Sequence, residues 1–350
     1  MLVDPKKNEF FKAAILFKTN SKLKVLDDVI FPRIKDRQIL VKILFTSVCG
    51  SQLFEIYGKR GRDKFLPHML GHEATGIAIN VGKKVKRIKI GDKVFLSWIK
   101  NNYEKDCSRI FYKSKTYKKR KINSGNITTF SNYSVVSSNR VYKLPESINF
   151  ISGCLLCCAL PTGAGMVLNN DSKIDKKKIL IVGLGGVGLS SLLTAIYKKY
   201  EEIYAVDNNS QKISYLKKKL KRHKIFYYND IKELKHLNFD LIIESTGNAK
   251  VISASMKYLK NHGKLIFASH PKFGEKIKID PYDLILGKKI YGSWGGDINF
   301  KKHLHLLIKI IKFFKKIENV FFKKFYKLEE INTAINDLKN GKIIRPIIKL

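Results

Sequence analysis

Acidic residues are scarce: 29 Asp+Glu stand against 68 Lys+Arg, a formal net charge of +39 over 350 residues. Arginine is scarcer still, with 10 against 58 lysines. Surfaces that grip phosphate or read bases favour arginine, because its planar fork makes paired hydrogen bonds. The basic residues are also smeared along the chain, each successive block of 50 residues holding between 6 and 13. A nucleic-acid or membrane-binding arm would be a block, so no nucleic-acid partner is expected. Drift towards the Lys, Ile, Asn, Tyr and Phe codons of an AT-rich genome accounts for the excess. A disordered polybasic chain is excluded by 44% hydrophobic and 11% aromatic residues. At roughly 100–200 residues per domain, the length suits two domains.

Cysteine is sparse too. Cys49, Cys107, Cys154, Cys157 and Cys158 do not make a disulfide framework in a chain this long, and point to metal or catalytic roles. Two uncharged runs, residues 147–170 and 179–197, are near the length of a membrane span. Pro161 and several glycines interrupt the first; Gly183, Gly185, Gly186 and Gly188 break the second, so strand–turn–helix explains each better than a membrane span. Residues 1–11 carry Asp4, Lys6, Lys7 and Glu9 and have no apolar signal-peptide core. A soluble, cytoplasmic protein without a membrane partner is expected.

Residues 178–203 read as strand, glycine turn and helix. The apolar run 179–182 suits a parallel strand buried on both faces. It leads into Gly183, Gly185, Gly186, Val187 and Gly188, then a helix over 189–199 and a strand over 202–206 ending at Asp207. Such glycines serve a tight turn, close approach to a pyrophosphate and close helix–strand packing. The helix N-terminus offers free N–H groups and the positive dipole end to phosphates. Asp207, 19 residues after Gly188, stands where an acid accepts from both ribose hydroxyls, and its charge would repel a 2′-phosphate. NAD is therefore favoured over NADP. Strands at 238–244, 263–268 and 290–294 and a helix at 251–259 continue the alternation. Residues 161–294 thus form a right-handed, doubly wound parallel sheet.

Before residue 150 the texture changes to short alternating strands, such as 38–45, 75–81 and 93–97, expected of a compact β-rich domain. Cys49, His72 and the cluster Cys154, Cys157 and Cys158 come from separate segments of this half. Cys, His and Cys make a plausible catalytic zinc set, because three protein ligands leave a fourth position for water or substrate.

These residues resemble the zinc-dependent alcohol dehydrogenases of the medium-chain dehydrogenase/reductase superfamily. The likeness lies in Gly71-His72-Glu73 with Gly76, Gly82 and Val85; in Gly91-Asp92-Lys93-Val94; in Leu160-Pro161-Thr162-Gly163 and Gly165; and in residues 183–190. The tail from Leu328 to Arg345 is similar as well, so the likeness covers nearly the whole chain. It implies an α/β fold: a Rossmann-type doubly wound sheet over 161–294, and a GroES-like catalytic domain from 1–160 and 295–350. It implies reversible hydride transfer between an alcohol and NAD(H), giving an aldehyde or ketone. Cys49, His72 and Cys158 (rather than Cys157) are then the ligands of one catalytic zinc. Ser51 receives the substrate proton, and Glu73 is the acid beside the metal. Gly183, Gly185, Gly186, Val187, Gly188, Asp207, Lys212 and Arg345 are coenzyme contacts, Arg345 reaching the pyrophosphate. Trp98 lines the substrate pocket. A homodimer or homotetramer, paired through edge strands near 290–294, is also implied.

The chain departs from the family at Gln52, where an acid commonly orients the zinc-bound histidine; Gln52 keeps an amide oxygen that can accept a hydrogen bond. Phe54 replaces a proton-relaying histidine. The stretch 98–121 holds only Cys107, so no second, structural zinc is expected there. Nine basic residues between Lys100 and Lys121 alternate with Tyr103, Phe111, Tyr112 and Tyr117. That texture suits a single-strand nucleic-acid platform, but a solvated lobe held by aromatic packing explains it better. The lysine-rich surroundings also hint at an anionic substrate. The rival readings are a zinc-free reductase of activated double bonds and a non-catalytic basic nucleic-acid-binding protein on the same fold.

Overall fold

The computed structural model describes residues 10–170 and 178–350. The stretch 1–9, read above as lacking a signal-peptide core, lies outside the described residues. The chain divides into two compact units, Met1–Cys158 with Phe322–Leu350, and Ala159–Phe321.

Two sheets build the first unit. Strands Phe10–Leu16, Lys24–Ile30, Ile110–Ser114, Ile122–Gly125 and His68–Met69 close into a barrel. Phe11, Ile15, Tyr112 and Ile122 fill it. The second sheet runs Val141–Lys143, Lys93–Ser97, Glu73–Val81, Gln38–Ser47, Ile347–Lys349 and Phe325–Tyr326, with Tyr133–Ser137 also paired to Gln38–Ser47. The C-terminal return is antiparallel to Gln38–Ser47, Ile347 opposite Ser47, so the residues just before it lie beside the start of Glu73–Val81. In the basic, aromatic stretch, Tyr112 is core and its hydroxyl accepts from Val135 N at 2.8 Å. Tyr117 meets the edge of Phe17, while Lys100 pairs with Asp106 at 3.3 Å. Tyr112 and Tyr117 are thus held in packing rather than presented as a stacking platform.

The second unit is a six-stranded parallel sheet ordered Ile225–Tyr228, Glu202–Val206, Lys178–Val182, Phe239–Glu244, Leu259–Phe267 and Lys289–Gly292. Ile179, Leu180 and Ile181 are wholly buried, as continuous apolar runs in parallel strands should be. The strand order reverses at Lys178–Val182, which makes its carboxyl end the switch point where ligands bind in open α/β sheets. The unit reaches Phe321, beyond the boundary expected at Gly295. The cause is helix Phe300–Phe313, whose apolar face buries Leu307, Ile310 and Ile311 and whose Phe313 meets the edge of Tyr197. Among the described residues no single helix is long and apolar enough to cross a membrane. The uncharged stretch 147–170 breaks into Phe150–Gly153, Cys154–Cys157 and Ala159–Leu168.

Candidate active site

In the first unit, Cys49 caps helix Gly50–Ile56, His72 immediately precedes strand Glu73–Val81, which Glu73 opens, and Cys158 follows the helical turn Cys154–Cys157. One donor atom from each of Cys49, His72, Glu73 and Cys158 falls within a single cluster 4.8 Å across. The two sulfurs are 3.9 Å apart, and His72 Nε2 lies 3.3 Å from Cys158 Sγ. Two sulfurs and an imidazole nitrogen this close suit zinc, which prefers such borderline-soft donors. The hydrogen bond from Cys158 holds the Cys49 thiol well below its ordinary range, against the opposing effect of burial. Burial pulls His72 down, but the neighbouring Cys49 lifts it further.

Cys154 and Cys157 are turned elsewhere. Cys154 Sγ lies 3.5 Å from Thr75 Oγ1, and Cys157 Sγ donates to the Ala74 carbonyl at 3.2 Å. Burial pushes Cys154 up to about 12 and Cys157 well above its ordinary value, so both are neutral, core-like thiols. Cys107, from the lobe, lies 3.7 Å from Gln38 Nε2 and donates to the Ser108 carbonyl.

Around the cluster, Gln52 is buried and works in an unexpected sense. Its Oε1 accepts from Cys49 N at 2.9 Å, while its Nε2 faces His72 Nδ1 at 2.7 Å. The oxygen expected to serve the histidine is taken by the helix cap, and the amide nitrogen serves the histidine instead. Arg345 is buried as well, donating to both oxygens of Glu73. This contact with Glu73 does not bear on the coenzyme role expected of Arg345. Burial pushes the Glu73 carboxyl up while Arg345 pulls it down; burial would lower Arg345, but Glu73 and then Cys49 hold it well above its ordinary value. Ser51 Oγ is buried without a hydrogen-bond partner. Phe54 lies beneath Lys59, whose Nζ is 5.3 Å from the ring. The Trp98 ring meets the His72 ring edge-on at 6.4 Å.

In the second unit, strand Lys178–Val182 turns at Gly183 (φ +85°) into helix Gly186–Tyr197. A Cβ on Gly188 would overlap the Gly183 carbonyl, so helix and turn approach as only glycine allows. A Cβ on Gly185 would meet nothing within 4 Å. The turn thus presents open space at a helix N-terminus, a cradle for a phosphate. Asp207, at the end of strand Glu202–Val206, accepts from Leu184 N and Lys212 Nζ, both at 2.7 Å, and from Asn209 N at 2.9 Å. Turn, acid and lysine are therefore brought together. Sequence reasoning missed Glu244, which ends the neighbouring strand opposite Val182. It is buried, with Oε1 accepting from Thr246 and Oε2 unpartnered, and burial pushes its carboxyl up to about 7.

Known proteins are similar to this chain over nearly its whole length. The alcohol dehydrogenase GroES-like domain matches residues 35–146, and the zinc-binding dehydrogenase domain matches residues 186–309. Alcohol dehydrogenase 6 of Peromyscus maniculatus is 27% identical over 369 residues, covering 96% of this chain and 97% of that protein. An S-(hydroxymethyl)glutathione dehydrogenase of Synechocystis is 26% identical over 371 residues, covering 96% and 99%. The crystal structure of benzyl alcohol dehydrogenase from Acinetobacter calcoaceticus is similar with a TM-score of 0.82 and 25% identity, covering 98% of this chain and all of that one. The chain belongs to the zinc-dependent alcohol dehydrogenases of the medium-chain dehydrogenase/reductase superfamily, oxidoreductases of alcohols and their carbonyl counterparts.

Proposed function

We propose that this alcohol dehydrogenase holds one zinc on Cys49, His72 and Cys158 and works with NAD(H) bound through the turn at Gly183–Gly188. The observation that carries the reading is the four-donor cluster, assembled from three separate segments within 4.8 Å. When bound, zinc supplies a Lewis acid that polarises the substrate oxygen, and the nicotinamide supplies a hydride acceptor. Ser51 Oγ, buried with no hydrogen-bond partner and two residues from Cys49, takes the substrate's hydroxyl proton in this reading. Phe54 has no acceptor to relay that proton, so it passes from Ser51 to water. Glu73 anchors the cluster through Arg345 and keeps an anionic group beside the cations. Trp98 narrows the approach to His72.

On the coenzyme side, Gly183, Gly185, Gly186, Val187 and Gly188 leave room and backbone N–H groups for the pyrophosphate. Asp207 selects NAD over NADP by its charge, with Lys212 positioning it. The exposed edge strand Lys289–Gly292, with Tyr291 (45% exposed), Trp294 (81%) and Ile285 (77%) nearby, suits a homodimer made through this unit. The test is metal analysis with activity on a panel of alcohols, polyols and aldehydes. Wild type should carry one zinc per chain and reduce NAD⁺ with alcohol, and Cys49→Ala should lose both. Equal alcohol oxidation without Cys49 would remove the assignment.

A further inference from the structure

Three of the ten arginines, Arg60, Arg62 and Arg109, line one cavity of about 450 Å³ in the first unit. Lys64 is the only lysine in that wall, whereas the whole chain has 58 lysines to 10 arginines. General lysine drift does not produce such a lining. The same cavity reaches Gln52 and His72, so it adjoins the donor cluster. Its size falls within the range of small-molecule sites.

The local charges do not cancel. Glu55 takes Arg60 at 2.8 Å, and Asp63 takes His68 at 2.7 Å. Arg62, Lys64 and Arg109 have no carboxylate within 4 Å among the described residues. The wall is also fixed in place. Phe65 N donates to Asp63 Oδ1 at 2.8 Å, its carbonyl accepts from Asn123 Nδ2 at 2.6 Å, and the Arg109 guanidinium sits 5.0 Å above its ring. Packing against the ring restrains the Arg109 guanidinium, whose planar fork suits a two-oxygen anion.

We propose that this cavity binds the anionic end, a carboxylate or phosphate monoester, of a substrate whose hydroxyl or carbonyl end is presented beside His72. The inference rests on the alcohol dehydrogenase reading above and names its substrate class. Arg62 and Arg109 are the specificity-determining residues. The basic stretch 100–121 contributes Arg109 to this wall and none of its other cations.

The experiment compares ω-hydroxyhexanoate, the phosphate monoester of hexanediol, and hexanol as substrates of the zinc-loaded enzyme. Whichever anionic compound wins identifies the group. Its kcat/KM should exceed that of hexanol by about 10-fold or more, and each of Arg62→Gln and Arg109→Gln should reduce that advantage about 10-fold through KM, the effect of losing one charge-assisted hydrogen bond. Turnover of hexanol should fall far less than that of the anionic compound, because hexanol carries no anion for either guanidinium to hold. Equal kcat/KM for charged and uncharged compounds in wild type, or equal losses on both in the variants, would overturn the proposal. Calorimetric binding of hexanoate and of inorganic phosphate needs no turnover. Arginine-dependent binding with no alcohol oxidation would preserve the anion site while sinking the dehydrogenase reading; oxidation without arginine-dependent binding would do the reverse.

Discussion

Replacing Gln52 tests the metal site most sharply. The Cys49 backbone N–H can only donate, so the carboxamide oxygen must face it and the amide nitrogen must face His72 Nδ1. A neutral imidazole that accepts at Nδ1 carries its proton on Nε2, the nitrogen 3.3 Å from Cys158 Sγ. That is the nitrogen a metal in the cluster needs bare. Moving the proton to Nδ1 sets two donors against each other; flipping the amide moves the same conflict to the Cys49 N–H. In either arrangement one buried donor lacks an acceptor, which costs about 1–3 kcal/mol. A carboxylate accepts from both. Gln52→Glu should therefore bind zinc about 10–100-fold more tightly than wild type, the usual size of such effects on metal affinity. Competition against a chromophoric chelator at fixed pH reads this without turnover. Before metal is added the variant should be less stable, since another buried carboxylate joins Cys49 and Glu73. If both proteins load one zinc and the variant holds it no more tightly, the hydrogen-bond argument fails.

Gly185→Ala should keep the wild-type melting temperature, since its Cβ enters open space, yet weaken NAD binding in fluorescence titration. Gly188→Ala should instead lose stability by about 1–3 kcal/mol in denaturant unfolding, the scale of overpacking, because its Cβ meets the Gly183 carbonyl. Glu244, pushed up to about 7 from an ordinary 4.5, stays protonated in the folded chain after the unfolded chain has ionised. Its contribution is present below pH 4.5 and falls as pH rises towards 7, so the stability of Glu244→Gln relative to wild type should rise by about 2–3 kcal/mol between pH 5 and 8. A difference that does not change with pH would refute the burial argument. Arg345→Ala leaves Glu73 buried and unpaired and should cost about 3–5 kcal/mol, whereas the double variant Glu73→Gln with Arg345→Met should recover most of it. Denaturant midpoints of the two variants would show whether the cost belongs to the pair or to the lone charge.

The coenzyme unit was legible because its signals are local and periodic. Lys178–Val182, Glu202–Val206 and Phe239–Glu244 fall within a residue or so of the strands read from the apolar runs, and the glycine turn lies where the spacing put it. Strand Ile225–Tyr228 escaped because four partly buried residues at a sheet edge carry almost no pattern. Helix Phe300–Phe313 was assigned to the other unit because sequence shows that a helix has an apolar face, not which surface that face covers. In the first unit, the cysteines and His72 could be picked as candidates, but nothing local distinguishes Cys157 from Cys158. The distinction comes from a helical turn that aims one thiol at the Ala74 carbonyl and the next at Cys49. The sense of the Gln52 contact was illegible for the same reason: it depends on the Cys49 N–H, a backbone group that every residue type but proline would supply.

The charge imbalance looks different once burial is considered. Among the described residues, the buried carboxylates and cations are Glu73, Arg345, Asp207 and Glu244, with no buried lysine. Taking a charge out of water costs several kcal/mol even after relaxation, and each buried charge needs a partner or a shifted proton. Glu73 and Arg345 answer one another beside the donor cluster. Asp207 has Lys212 and two backbone N–H groups, and Glu244 keeps its proton up to about pH 7. Each of these residues stands at the donor cluster or where the strands Lys178–Val182, Glu202–Val206 and Phe239–Glu244 end around the glycine turn. A surface can gain lysines by the dozen at little cost, because water and salt screen them. A buried charge has no such screening, so it persists where something must be held. The net charge therefore says little about what the chain does; the few charges removed from solvent mark its two sites.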